Sequence, residues 1–167
     1  MKTLVLVRHA KSDWGNEALK DIDRHLNERG YEDAYFMSDW YKKNMQMPDL
    51  MVSSPATRSL STAFIFARKF GKPESEIKIK ESVYESTTEN CIKLISQFDN
   101  NNSCAMLFGH NPGITNLANE LNKELMFDNI ATCGIVCIEF DINNWKDILK
   151  VKEGKLLNYK FPKSFKQ

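Results

Sequence analysis

Apolar residues fall along this chain in two rhythms. Short apolar runs predict strands over Lys2–Val7, Asp49–Ser53, Ala105–Phe108 and Ile135–Phe140. A weaker strand is expected at Ile77–Lys80, and an edge strand or extended tail at Lys155–Phe161. Between them, apolar positions recur every three or four residues. Asn27–Asn44 reads as a helix carrying Tyr31, Ala34, Tyr35, Met37, Trp40 and Tyr41. Pro55–Phe70 reads as a second, with Ser54 as N-cap, Pro55 in the first turn, Gly71 past the end, and Leu60, Ala63, Phe64, Ala67 and Phe70 inward. Thr88–Phe98 and Pro112–Leu121 complete the set, turning in Ile92, Ile95 and Phe98, and Ile114, Leu117, Ala118 and Leu121.

Strands alternating with helices imply an α/β fold: three layers, a doubly wound and mostly parallel sheet, and helices on both faces. The last two strands have no helix between them, which implies an antiparallel edge. Neither repeats nor linker-like tracts interrupt residues 1–167, so a single domain is expected. In open sheets of this kind ligands bind outside the carboxyl ends of the strands.

Charge narrows the partners. Lys plus Arg is 23 and Asp plus Glu is 22, so no global field recruits nucleic acid or an anionic membrane. Any anion must be held by a local cluster. The apolar run at Leu4–Val7 ends at Arg8 and His9, too short for a secretory core or for a membrane span of ~20 residues. A cytoplasmic protein is the expectation. Cys91, Cys104, Cys133 and Cys137 sit in apolar segments and read as reduced core residues, with Cys133 and Cys137 on one face of a strand.

Three strand ends carry reactive side chains. The first exits as VRHAKSDW, with Arg8 and His9 either decorating the surface or flanking a pocket. The second exits as SSPATRSLSTA. Arg58 there falls at the fourth helical position, where a cation opposes the helix dipole, so it either pairs with a carboxylate or meets a bound anion. The third exits as FGHNPG. Gly109 is expected to turn the backbone tightly, and His110 is either a buried structural histidine or one more ligand to an anion at a helix start. Together these positions suit a phosphoryl group in transfer, which needs donors on several oxygens and a metal or a nucleophile. Neutral imidazole is such a nucleophile. The strand ends show no carboxylate cluster suited to magnesium, no Walker-type loop and no His-x-x-x-His pair, so neither metal nor cofactor is expected.

VRHAKS resembles the Arg-His-Gly motif of the histidine phosphatase superfamily, with Ala10 in place of Gly; SSPATRSLSTA resembles its second arginine segment and FGHNPG its second histidine. DIDRHLNERG at 21–30 and the CIEF…W tail at 137–145 extend the likeness towards the short bacterial phosphohistidine phosphatase branch. The resemblance implies a phosphoglycerate mutase-like fold and assigns roles. His9 accepts the phosphoryl group, Arg8, Arg58 and His110 bind its oxygens, and Lys11 and Ser12 add contacts. Relatives place an acid after the third strand; Glu85, with Glu81 behind it, is the candidate in KESVYESTTEN. His25 lies outside these motifs.

The expected substrate is a phosphorylated protein, in particular a histidine-phosphorylated signalling domain. The region 81–103 carries no inserted lid, and the one long connection, Ala10–Leu26, forms a rim around an open groove. Three other readings stand beside this one: a small-molecule phosphatase or mutase using the same chemistry, a non-catalytic phosphate-binding module, and a zinc protein using His9, His25 and His110.

Overall fold

In the first strand, β1 (Lys2–Arg8), Leu4 and Leu6 join one hydrophobic core while Val5 and Val7 join another. That split follows from the two-residue period of a strand, and it makes β1 the centre of a sheet covered on both faces. The computed structural model describes residues 1–166. In chain order the remaining elements are α1 (Glu28–Asn44), β2 (Leu50–Ser53), α2 (Thr57–Lys69), β3 (Lys78–Ile79), α3 (Thr88–Ser96), β4 (Cys104–Gly109), α4 (Gly113–Leu121), β5 (Ile135–Phe140) and β6 (Lys155–Lys160). The sheet order is β3-β2-β4-β1-β5-β6. The first four in that order run parallel, and β5 runs against both β1 and β6. Helices α1 and α2 cover one face with Met37, Tyr41, Phe66 and Phe70. Helices α3 and α4 cover the other with Ile92, Ile95, Leu117 and Leu121, joined by the fully buried Trp145. The expected three-layer α/β architecture with an antiparallel edge is the observed one. All four cysteines are buried and free.

Several local expectations are corrected. Helix α2 begins at Thr57 with Ala56 as its N-cap, not at Pro55 with Ser54 as its N-cap. The Ser54 hydroxyl accepts from the Ala56 amide at 3.1 Å and is engaged by His110, so it is spent on the loop and not on the helix. Arg58 is therefore the second residue of the helix. The buried face of α2 is also rotated: Thr62, Ala63, Phe66 and Ala67 are buried, whereas Leu60 and Phe64 are half-buried, because Arg58, Ser59 and Thr62 are drawn inward at the start. In α1, Tyr31 and Tyr35 are exposed; Ala34, Met37 and Tyr41 already fill the interface, and helical spacing sets the tyrosines beside it. Pro112 is the N-cap of α4 and not its first residue.

Gly109 has no left-handed backbone. It closes β4 in register with Arg8, and a Cβ there would come within 3.1 Å of Ile114. Its smallness lets α4 approach the strand end. Cys133 lies before β5 with φ of 58°, so it does not share a strand face with Cys137. Its amide is shared between the carbonyls of Arg8 and His9, both at 3.1 Å. This turn fixes the backbone where β1 leaves the sheet.

Candidate active site

β1, β2 and β4 end side by side, and their exits deliver Arg8, His9, Arg58 and His110 to one cleft of about 690 Å³. His9 is buried, with 7% of its surface exposed. Its amide donates to Gly109 O at 3.0 Å, and the Ala10 amide donates to Thr62 Oγ1 at 3.0 Å, tying the turn to α2. His9 Nδ1 lies 2.7 Å from Ala10 O. A carbonyl only accepts, so Nδ1 carries the proton and Nε2 keeps its lone pair. Burial pushes the His9 imidazole down to about 3, with the positive fields of Arg58 and Arg8 acting in the same direction. Burial likewise pushes His110 down to about 4, aided by Arg58. The two rings stand 5.2 Å apart, tilted by 51°. His110 Nε2 meets Ser54 Oγ at 2.7 Å.

Arg8 Nη1 donates to Ile130 O at 2.8 Å. Arg58 donates to Asp21 twice, to the backbone carbonyl at 2.7 Å and to Oδ2 at 3.0 Å. Of the two alternatives open for Arg58 in the sequence, the pairing with a carboxylate is observed, and the residue also lines the cleft. Among the described residues, the buried side-chain nitrogens without a hydrogen-bond partner are Arg8 Nε, Arg58 Nε and His110 Nδ1. Buried polar nitrogens are ordinarily satisfied, and all three of these belong to the cleft. Such a set is suited to an oxyanion with several acceptor oxygens.

The remaining expected positions are distributed as follows. Lys11 is exposed and lines the cleft. Ser12 lines it too, but its hydroxyl accepts from Arg24 Nη1. Glu85 lines the cleft, is exposed, and adopts φ of 52°, a left-handed backbone that a non-glycine residue adopts at a cost. Glu81 is exposed in the turn Glu81–Val83 and stands outside the cleft lining; His25 is exposed and outside it as well. Among the described residues no group of three or more His, Cys, Asp or Glu side chains is placed to hold a metal ion, and no helix is long and apolar enough to cross a membrane.

Sequence reading missed a second tier. Asp21, on the rim, gathers Arg58, Arg24 and the Tyr84 hydroxyl, the last at 2.6 Å. The Tyr84 bond, with Arg58 and Arg24 behind it, holds the Asp21 carboxyl at about 2. Ser54 and Thr62 were also missed as partners of His110 and of the Ala10 turn. The available signal was DIDR itself, an acid and a base three positions apart in a motif that carried the family likeness.

A chloroplastic protein of Arabidopsis thaliana is 29% identical over 87% of this chain and 70% of its own. The structure of a candidate phosphohistidine phosphatase SixA from Agrobacterium tumefaciens superposes with a TM-score of 0.81 at 25% identity, covering 96% of this chain and 98% of that one. A protein histidine phosphatase SixA complexed with tungstate superposes with a TM-score of 0.83 at 17% identity, over 98% of this chain and 99% of that one, and so shares the fold. The profile of the histidine phosphatase superfamily (branch 1) matches residues 4–101, more than half of the chain and inclusive of the β1 exit and the α2 arginine. By that match and this fold, the chain belongs to the histidine phosphatase superfamily.

Proposed function

We propose that this chain is a metal-independent phosphatase that hydrolyses phosphohistidine on proteins through a covalent intermediate on His9. The observation that carries the reading is the free Nε2 of a buried, neutral His9 beside the unpaired nitrogens of Arg8, Arg58 and His110. In the first step Nε2 attacks phosphorus in line, the Nε2–P bond forms and the P–N bond to the substrate imidazole breaks. The departing nitrogen takes a proton from water or from Glu85, which with Asp21 is one of the two carboxyls lining the cleft. In the second step water attacks phosphorus, the Nε2–P bond breaks, the proton given up by the water returns to Glu85 or to solvent, and inorganic phosphate leaves a neutral His9. Arg8, Arg58 and His110 hold the equatorial oxygens throughout, with Lys11 at the mouth and Ser12 acting through Arg24.

The protein substrate is favoured by two observations. The Agrobacterium protein, similar over nearly its whole length, is a candidate phosphohistidine phosphatase. Between Glu81 and Cys104 this chain carries one turn and α3, with no inserted lid over the cleft. A histidine-phosphorylated signalling domain in the cytoplasm fits such a site. The cleft volume of about 690 Å³ also suits a small phosphomonoester, which makes that the second reading. Side-by-side kcat/KM for a histidine-phosphorylated protein and a panel of sugar phosphates, with and without chelator, tests both. A sugar phosphate ahead by tenfold, ~1.4 kcal/mol in transition-state binding, decides for the second reading. Loss of turnover in chelator that a divalent metal restores decides against metal independence.

A further inference from the structure

Trp14 stands at the mouth of the cleft with 74% of its surface exposed. Its ring is nevertheless held. Arg24 Cζ lies 3.5 Å from the ring centroid, a separation reached only by stacking on the indole face. Arg24 is itself buried, with Nη1 on Ser12 and with Nε and Nη2 on Asp21 at 3.4 and 3.2 Å. The backbone is pinned as well. The Asp13 amide donates to His25 O at 2.8 Å, Ser12 bridges to Leu26, and the Gly15 amide donates to Asp13 Oδ1 at 2.7 Å. One indole face is therefore occupied by a fixed guanidinium, and the other is open to solvent.

Elsewhere the cleft offers charge and hydroxyls to the phosphoryl group, with Val83, Tyr84 and Pro112 as its other apolar lining. Trp14 adds a broad flat apolar surface at the exposed rim. His9 is at the buried base of the cleft and Trp14 at its exposed rim. In-line displacement sends the leaving group away from the nucleophile, and so from the base toward the rim. A guanidinium bonded three times over needs no indole to keep it in place, so covering Arg24 does not account for the residue.

We infer that Trp14 is a specificity-determining residue whose open indole face receives the planar leaving group, the imidazole ring of the phosphorylated histidine, by stacking. The inference rests on the phosphohistidine reading above. It separates substrates by what the phosphoryl group is attached to and not by the phosphoryl group itself.

The test compares a phosphohistidine peptide with phosphoramidate, which has the same phosphoryl group and P–N bond but only ammonia to lose. Wild-type rates on the two compounds judge the phosphohistidine reading by themselves. The subsite is judged by their ratio in variants. In Trp14→Ala the ratio of kcat/KM, peptide over phosphoramidate, is expected to fall about tenfold, the order of one lost stacking contact. Trp14→Phe is expected to restore most of it, since a smaller aromatic face remains. A ratio within twofold of wild type in Trp14→Ala overturns the inference, whether both rates fall together, as for a residue that only positions Arg24, or neither falls.

Discussion

Arg58 donates to Asp21 through both the backbone carbonyl at 2.7 Å and the carboxylate at 3.0 Å, so this cation of the cleft is already met by an anion. A bound phosphoryl group gains a charge-assisted bond from Arg58 and also meets the negative Asp21. The two residues should therefore move oxyanion affinity in opposite directions. Arg58→Ala is expected to weaken vanadate inhibition by ~1.5–3 kcal/mol, the loss of one charged hydrogen bond. Asp21→Asn keeps the carbonyl contact and removes the charge, and is expected to tighten vanadate by up to ~1 kcal/mol, the scale of a partly exposed ion pair. Inhibition constants for the two variants check this, and weaker binding in Asp21→Asn would contradict it.

His9→Ala is expected to lower turnover by at least ~10³-fold while circular dichroism and urea unfolding show a folded chain. Wild type quenched without acid during turnover should carry an acid-labile, base-stable phosphate, and peptide mapping should place it on His9. Appreciable turnover by a folded His9→Ala protein rules out the covalent scheme.

Burial holds His9 at about 3 and His110 at about 4, against an ordinary 6.5 in the unfolded chain. Between those values the unfolded chain binds protons that the folded chain does not. Stability from these groups is therefore present above pH ~6.5 and is lost as pH falls toward the folded values, at up to ~1.4 kcal/mol per pH unit for each histidine. Urea unfolding in chloride buffer at pH 7.5 and 5 should show wild type losing stability, and a His9→Asn/His110→Asn double variant losing much less. Equal losses in the two proteins would remove the histidines as the cause.

Gly30, in the first turn of α1, is where helix and rim touch. A Cβ there would lie 2.1 Å from Lys11 O, a carbonyl that also accepts the Asn27 amide at 3.0 Å. In an open helix Gly→Ala stabilises by about 1 kcal/mol. Here the sign should reverse. Gly30→Ala is expected to cost ~1–3 kcal/mol in urea unfolding by overpacking, and to lower kcat/KM by pushing the Lys11 backbone against the His9 turn.

The sequence by itself determined the sheet, the two cores and the strand exits. Those features depend on local periodicity: Leu4 and Leu6 against Val5 and Val7 specify a strand buried on both faces wherever it is placed. Arg8, His9 and His110 were legible for the same reason, as polar residues directly after apolar runs. The tertiary structure alone decided which residues Asp21, Arg24 and Tyr84 would meet. Asp21 reaches Arg58 across 37 positions and Tyr84 across 63, distances at which no periodicity operates. It also decided where α2 begins, because His110 and the Ala56 amide claim the Ser54 hydroxyl that local preference would give to the helix. The open face of Trp14 belongs to this second class. An indole in a polar run reads as surface until Arg24 is seen stacked beneath it, and that stacking exists only once the rim has folded back onto the strand ends.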